Sequence, residues 1–189
     1  MARTKEFDVD LALERAMHTF WSKGFEATSA QDLVEALGIN RSSLYGTFGN
    51  KEELYRRALA LYGERTAVPE LAGEGPLRPR LRRALRAMIE PDLDPEGSRG
   101  CFACNAAVER GPLDSSVRAL VGGSFGAMRA LLAAELGAAR DRGELSPGAD
   151  PHALAGSLLV TIEGLHVVAK GTRDRRLVDS VIDTALESV

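Results

Sequence analysis

Three groups of side chains in this chain of 189 residues have types and spacing that chemistry uses. Gly122-Gly123-Ser124-Phe125-Gly126 fits the G-x-S-x-G pattern of a nucleophilic serine, and Asp150, His152 and His166 follow in an order that a triad permits. Cys101-Phe102-Ala103-Cys104 is a C-x-x-C, and at a helix N-terminus its first thiol would be acidified and could sense oxidants or electrophiles. Arg41, Ser42, Tyr45, Thr47 and Lys51 form the third group. These are side chains that grip phosphate and reach base edges in a DNA groove.

The elements around each group decide which chemistry has a scaffold. Hydrophobic residues make up 44% of the chain and aromatics only 5%, with abundant Ala, Leu, Arg and Glu and no long β-branched runs. That composition predicts an all-α fold. A serine elbow needs a strand before it and a helix after it, yet both flanks of Ser124 read as helix. Hydrolase chemistry through Ser124 therefore has no sheet to stand on, and the chain is not expected to be an enzyme. Zinc would need two ligands beyond Cys101 and Cys104, and the three histidines offer no matching spacing. No metal or cofactor is expected. The cysteines read first as structural residues, with thiol sensing as the alternative. Asn105 and Glu109, four apart, read as a local hydrogen-bonding face. No apolar leader opens the sequence and no run of 18 uncharged apolar residues occurs, so no membrane span and a cytoplasmic location are expected.

Caps and apolar spacing divide the chain into helices. Asp8 can cap a first helix with Val9, Leu13, Ala16, Met17 and Phe20 on one face, stopped at Gly24. Thr28-Ser29-Ala30-Gln31 reads as a capping box opening a second helix, closed by Gly38. Asn40 can cap a short third helix ending near Phe48, and Asn50 a fourth with Leu54, Ala58, Leu61 and Tyr62 sharing a face. Pro69, Gly73, Gly75, Pro76 and Pro79 mark a boundary. We therefore expect a first helical domain over residues 1–50, a connecting fourth helix over 51–65, and a second helical domain over 66–189. Further helices are expected from about Pro79 to Glu90, over 101–110, from Asp114 to about Arg142, from Pro151 to about Lys170, and from Asp174 to Val189.

The second and third helices, separated only by Gly38-Ile39-Asn40, have the layout of a helix-turn-helix. Leu44 and Phe48 would face inward and Arg41, Ser42 and Tyr45 outward, with Thr47 at the flank. The net charge of −3 does not advertise a nucleic-acid binder, but residues 38–51 contain Arg41 and Lys51 and no acid. Phe25-Glu26-Ala27-Thr28-Ser29 and the run from Leu37 to Leu54, LGINRSSLYGTFGNKEEL, resemble the signature of the tetracycline-repressor (TetR) family over residues 8–62. The resemblance implies an N-terminal DNA-binding domain and a larger helical domain for ligand binding and dimerisation. It also implies that Ser29 and Gln31 meet phosphate at the start of the second helix. Arg41, Ser42, Tyr45 and Thr47 would enter the major groove, Lys51 would grip phosphate, and Arg3 and Lys5 would form an arm. Gly46 stands where the family often has a larger side chain, and it cannot read a base.

In the second half, Met88, Phe102, Asn105, Phe125, Met128, Thr161 and His166 are the mixed types that line small-molecule pockets, and they are the candidate effector site. From Leu154 to Val168 apolar residues surround the helix axis, and the last helix has a double apolar stripe. Two copies packed into a four-helix bundle would cover both, placing Leu158, Leu159, Ile162, Leu177, Val181 and Leu186 at a homodimer interface. Such a dimer must hold its two recognition helices about 34–36 Å apart. The expected function is a sequence-specific transcriptional regulator, a repressor released from double-stranded operator DNA by an unidentified small molecule.

Overall fold

A computed structural model describes residues 7–65, 71, 75–187 and 189. Arg3 and Lys5, and most of the expected boundary around Pro69 and Gly73, lie outside these residues. Among the described residues the chain is helical, with no strand: α1 (Val9–Lys23), α2 (Ala30–Leu37), α3 (Arg41–Phe48), α4 (Lys51–Glu64), α5 (Leu77–Leu93), α6 (Phe102–Glu109), α7 (Ser115–Asp141), α8 (Pro151–Thr172) and α9 (Arg175–Glu187).

The helices divide into two compact units, one from the described part of Met1–Arg65 with Asn105–Gly122, the other from the described part of Thr66–Cys104 with Gly123–Val189. The division falls inside α6 and α7, so the end of α6 and the start of α7 group with the N-terminal helices. A boundary read from Pro and Gly alone does not foresee that a later segment returns to the first unit.

In the first unit, α1 packs against α2 and α4 through Ala12, Ala16, Met17 and Phe20, a 3.6-residue stripe. Phe20 and Phe25 both meet the Tyr55 ring edge-on at 5.1 Å, and Leu54, Ala58 and Leu59 extend this core along α4. Leu61 and Tyr62 are only half-buried, so the inward face of α4 is offset from the expected one. Burial pushes the Tyr55 phenol up, and the nearby Glu109 charge adds to the shift.

In the second unit, α5, α8 and α9 enclose Leu81, Leu85, Ile89, Leu158, Ile162, Leu165, Val178, Ile182 and Leu186, joined by Met128, Leu132 and Leu136 from α7. Helix α5 runs through Pro91 to Leu93, past the expected stop at Glu90. Bidentate pairs Arg82–Asp183, at 2.6 and 2.8 Å, and Arg86–Asp179 line the outer seam of α5 and α9. Arg82–Asp183 is exposed and Arg86–Asp179 half-buried, and pairs so open to solvent set register more than stability. The buried Arg80 instead bonds the Leu71 and Gly75 carbonyls and the Glu135 carboxylate, which neutralises its charge.

Leu158, Ile162 and Leu186, expected to meet a partner copy, are thus consumed by the protomer's own core. The stripe that α8 leaves outward is Val160 and Val167, 73% and 61% exposed, with Leu177 of α9 at 41%. Leu159 and Val181 are half-buried beside that core. Helices α7 and α8 are also long and apolar enough, by length and composition, to cross a membrane. The expectation of no run of 18 uncharged apolar residues stands, because Glu163 and Lys170 interrupt α8 and Arg118, Arg129 and Glu135 interrupt α7, and the inward residues of α8 pack in the core just described.

Candidate nucleic-acid interface

Each short helix of the first unit starts on a side-chain cap, which fixes where its exposed residues point. Ser29 caps α2 by accepting the Asp32 amide at 3.1 Å, while Asp32 accepts the Ser29 amide at 2.7 Å. The capping box is therefore Ser29/Asp32, one residue later than the expected Thr28–Gln31. Thr28 is buried, and its hydroxyl donates to the Gly24 carbonyl at 2.6 Å, so it is not free to cap. Lys23 pairs with Asp32 at 2.5 Å, and these partners hold the Asp32 carboxyl well below its usual range. Gln31 falls in the first turn of α2, exposed, with its amide donating to Glu35 at 2.8 Å.

Gly38 adopts φ 69°, ψ 27°, the left-handed turn between α2 and α3. Asn40 then caps α3, accepting the Ser43 amide and the Ser42 hydroxyl, both at 2.8 Å. Leu44 and Phe48 face the core, whereas Arg41, Ser42, Gly46 and Tyr45 are exposed and Thr47 is half-buried. The Tyr45 ring is 37% exposed, with the Arg41 guanidinium 5.7 Å from its centroid. One face of α3 thus carries a cation, an aromatic phenol and a hydroxyl in a row, with a bare backbone at Gly46. Its opposite face is greasy. Lys51, at the first position of α4, is half-buried with its ammonium 4.3 Å from the centroid of the Phe25 ring. Arg41, Ser42, Tyr45 and Thr47 share α3, while Ser29, Gln31 and Lys51 open the two flanking helices. Such a surface offers hydrogen-bond donors and positive charge without a carboxylate on α3.

Other side chains pin this unit from a distance. The Glu109 carboxylate accepts the amides of Phe25 and Glu26, both at 2.9 Å. Arg110 pairs with Glu26 at 2.9 Å and lies 4.3 Å from the Phe25 ring centroid, and Arg56 pairs with Asp114 at 3.3 Å. Glu109 thus reaches beyond its own helix to backbone amides in a distant corner, which carry no signature that a sequence reading could use.

The candidate effector residues occupy different settings, most of them in the second unit. Met88 and Met128 belong to one apolar cluster, Phe102 and His166 are buried, and Phe125 is half-buried. Thr161 donates its hydroxyl to Ser157 of its own helix at 2.9 Å. Asn105 groups with the first unit. His166 bonds Asp92 at 2.6 Å, and the other oxygen of Asp92 accepts the Gly100 amide at 2.6 Å. Neither Asp92 nor Glu163 figures in the sequence reading. A lone acid within the apolar run of α8 was the available signal for Glu163. Burial pushes the Glu163 carboxyl up, against the opposing pull of Cys101, His166 and Cys104, and its buried Oε2 lacks a hydrogen-bond partner.

Burial and Glu163 push the Cys104 thiol up, the reverse of an activated thiolate, and Cys101 is buried. Thiol sensing is accordingly not favoured. Ser124 lies inside the uninterrupted α7, and Asp150 spends its carboxylate capping α8 through the His152 and Ala153 amides, so no elbow or triad forms.

Residues 12–58 match the family model of bacterial regulatory proteins, tetR family, and residues 77–185 match the tetracyclin repressor-like C-terminal domain. The chain is 34% identical over 190 residues to the uncharacterized HTH-type transcriptional regulator YezE of Bacillus subtilis (strain 168), covering 98% of each. It is 33% identical over 172 residues to the HTH-type transcriptional repressor ComR of Escherichia coli (strain K12), covering 89% of this chain and 82% of ComR. A solved structure of a cysteine mutant of the TetR family transcriptional regulator CifR, complexed with 26-bp double-strand operator DNA, superposes with a TM-score of 0.85 at 32% identity over 99% of both chains.

Proposed function

The chain belongs to the TetR family, and we propose that it acts as a homodimeric repressor whose hold on operator DNA a small molecule relaxes. It is a DNA-binding transcriptional regulator and not an enzyme. The observation that carries the DNA-contact reading is the two-faced α3: Leu44 and Phe48 anchor it, and Arg41 and Tyr45 stand exposed and adjacent. In this reading Arg41, Ser42, Tyr45 and Thr47 enter the major groove, while Ser29, Gln31 and Lys51 hold phosphates at the openings of α2 and α4. Helix N-terminal amides reinforce the phosphate contacts.

Support for dimerisation comes from the exposed Val160, Val167 and Leu177, apolar side chains on consecutive helices that a second copy would cover. The relatives named as repressors support repression, and their family supports a cytoplasmic location. The effector is read to enter the second unit beside His166 and Glu163, where a buried carboxylate oxygen without a partner would welcome a hydrogen-bond donor. A ligand that favours a protomer arrangement with the wrong half-site spacing lowers DNA affinity by linkage.

The test is a gel shift against DNA flanking the protein's own coding region, repeated with Tyr45→Ala and Lys51→Ala. Specific binding lost in both variants, with steep salt dependence, is the expected result. Retention of wild-type affinity in both would sink the reading.

A further inference from the structure

Three contacts converge on the corner between α1 and α2. The Glu109 carboxylate accepts the Phe25 and Glu26 amides, both at 2.9 Å, one to each oxygen. Arg110, the next residue, holds the Glu26 carboxylate at 2.9 Å and lies over the Phe25 ring. That same ring is in contact with the ammonium of Lys51, 4.3 Å from its centroid. The corner also leads directly into the α2 cap: Thr28 bonds back to Gly24, and Ser29 begins the capping box.

Two backbone amides outside any helix, satisfied by a carboxylate from a segment 83 and 84 residues further on, amount to a clamp. Charge-assisted hydrogen bonds of this kind are short and directional, so the clamp sets the position of the corner as well as its stability. Moving Phe25 moves the ring on which Lys51 rests, and moving residues 25–28 moves the first turn of α2.

We infer that Glu109 is a positioning residue for operator binding, which presents Lys51 and the α2 N-terminus to DNA phosphates by clamping the Phe25–Glu26 backbone. The inference rests on the reading that Lys51 and the start of α2 contact phosphate. Glu109 itself touches no DNA. Its effect must therefore pass through Lys51 and α2, and that route is what an experiment can isolate.

The experiment measures operator affinity of the full chain across a salt series for wild type, Glu109→Ala, Glu109→Gln, Lys51→Ala and the Glu109→Ala/Lys51→Ala double variant. Melting temperature and amide exchange at residues 25 and 26 are recorded alongside. Glu109→Ala is expected to weaken operator binding about tenfold and to flatten the slope of log K against log salt by about one phosphate contact per half-site. In the Lys51→Ala background the same substitution should cost clearly less than tenfold, because the two act on one contact. Glu109→Gln should restore part of the loss, since its carbonyl accepts one amide while its NH2 faces the other as a donor.

Should Lys51→Ala weaken binding while Glu109→Ala leaves it unchanged despite faster exchange at residues 25 and 26, the inference alone fails. Equal losses from Glu109→Ala in both backgrounds, with an unaltered salt slope and a lower melting temperature, reduce Glu109 to a stability contact and overturn it too. If Lys51→Ala itself changes neither affinity nor slope, the phosphate-contact reading falls and the inference falls with it.

Discussion

The carboxylate of Glu109 occupies the space that a side chain on Gly24 would need: a β-carbon built there lies 3.0 and 3.1 Å from its two oxygens. Gly24 also has φ 81° and ψ 173°, a region in which L side chains are strained by about 1–3 kcal/mol. The same residue ends α1 and lets the carboxylate reach the Phe25 and Glu26 amides. Gly24→Ala is therefore expected to destabilise the protein by about 2–3 kcal/mol, combining backbone strain with displacement of the clamp. Urea unfolding checks this, and a loss under about 0.5 kcal/mol, the size of an ordinary surface change, would refute it.

Gly46 is predicted to behave in the opposite way. It sits within α3, φ is not positive, and nothing lies within 4 Å of a built β-carbon. Replacing it with Ala removes backbone freedom from the unfolded chain and should stabilise the protein by about 0.5–1 kcal/mol. Thermal unfolding of Gly46→Ala would show a higher melting temperature. A lower one would mean that the bare backbone on this face meets a constraint that the protomer does not contain.

These two glycines also show what could be read ahead of the structure. Caps are local, so Asp8, Asn40 and Asn50 and the inward pair Leu44 and Phe48 were legible from spacing alone. The capping box slipped by one residue because Thr28 and Ser29 are chemically alike, and only the pull of Gly24 on the Thr28 hydroxyl separates them. The reach of Glu109 was not legible because the amides it accepts lie 83 and 84 residues away. In α8 the apolar pattern surrounds the axis, so periodicity could not tell the face that the protomer covers, through Leu158 and Ile162, from the face it leaves open at Val160 and Val167.

That distinction yields a pair of substitutions with different readouts. Val160→Glu with Val167→Glu adds charge to side chains that are 73% and 61% exposed, so each protomer should fold normally. If these residues meet a second copy, the double variant should sediment as a monomer and bind operator at least a hundredfold more weakly, because one half-site contact is lost from a linked pair. Leu158→Ala, by contrast, should cost about 2–5 kcal/mol of protomer stability through the cavity it opens. Analytical ultracentrifugation decides the first: a double variant that stays dimeric removes this face from the interface.

Glu163 gives a pH test whose sign is set by its surroundings. Burial raises its carboxyl above the usual range in the folded protein, so the folded chain binds more protons than the unfolded one just above the ordinary glutamate range. Stability must then decline as pH rises from the unfolded pKa through the folded one, and the charged form is the unfavourable one at neutral pH. Carboxyls with lowered values, such as Asp32, act in the reverse sense and lose their contribution on acidification. Comparing Glu163→Gln with wild type cancels those other groups. The variant should be the more stable protein at pH 7.5, and the advantage should shrink toward zero as the pH falls below about 4.3, where wild-type Glu163 is protonated in both states. Denaturant unfolding at several pH values measures the gap. A gap that does not change with pH would mean that Oε2 is solvated or paired in solution, and the case for a ligand donor at this oxygen would go with it.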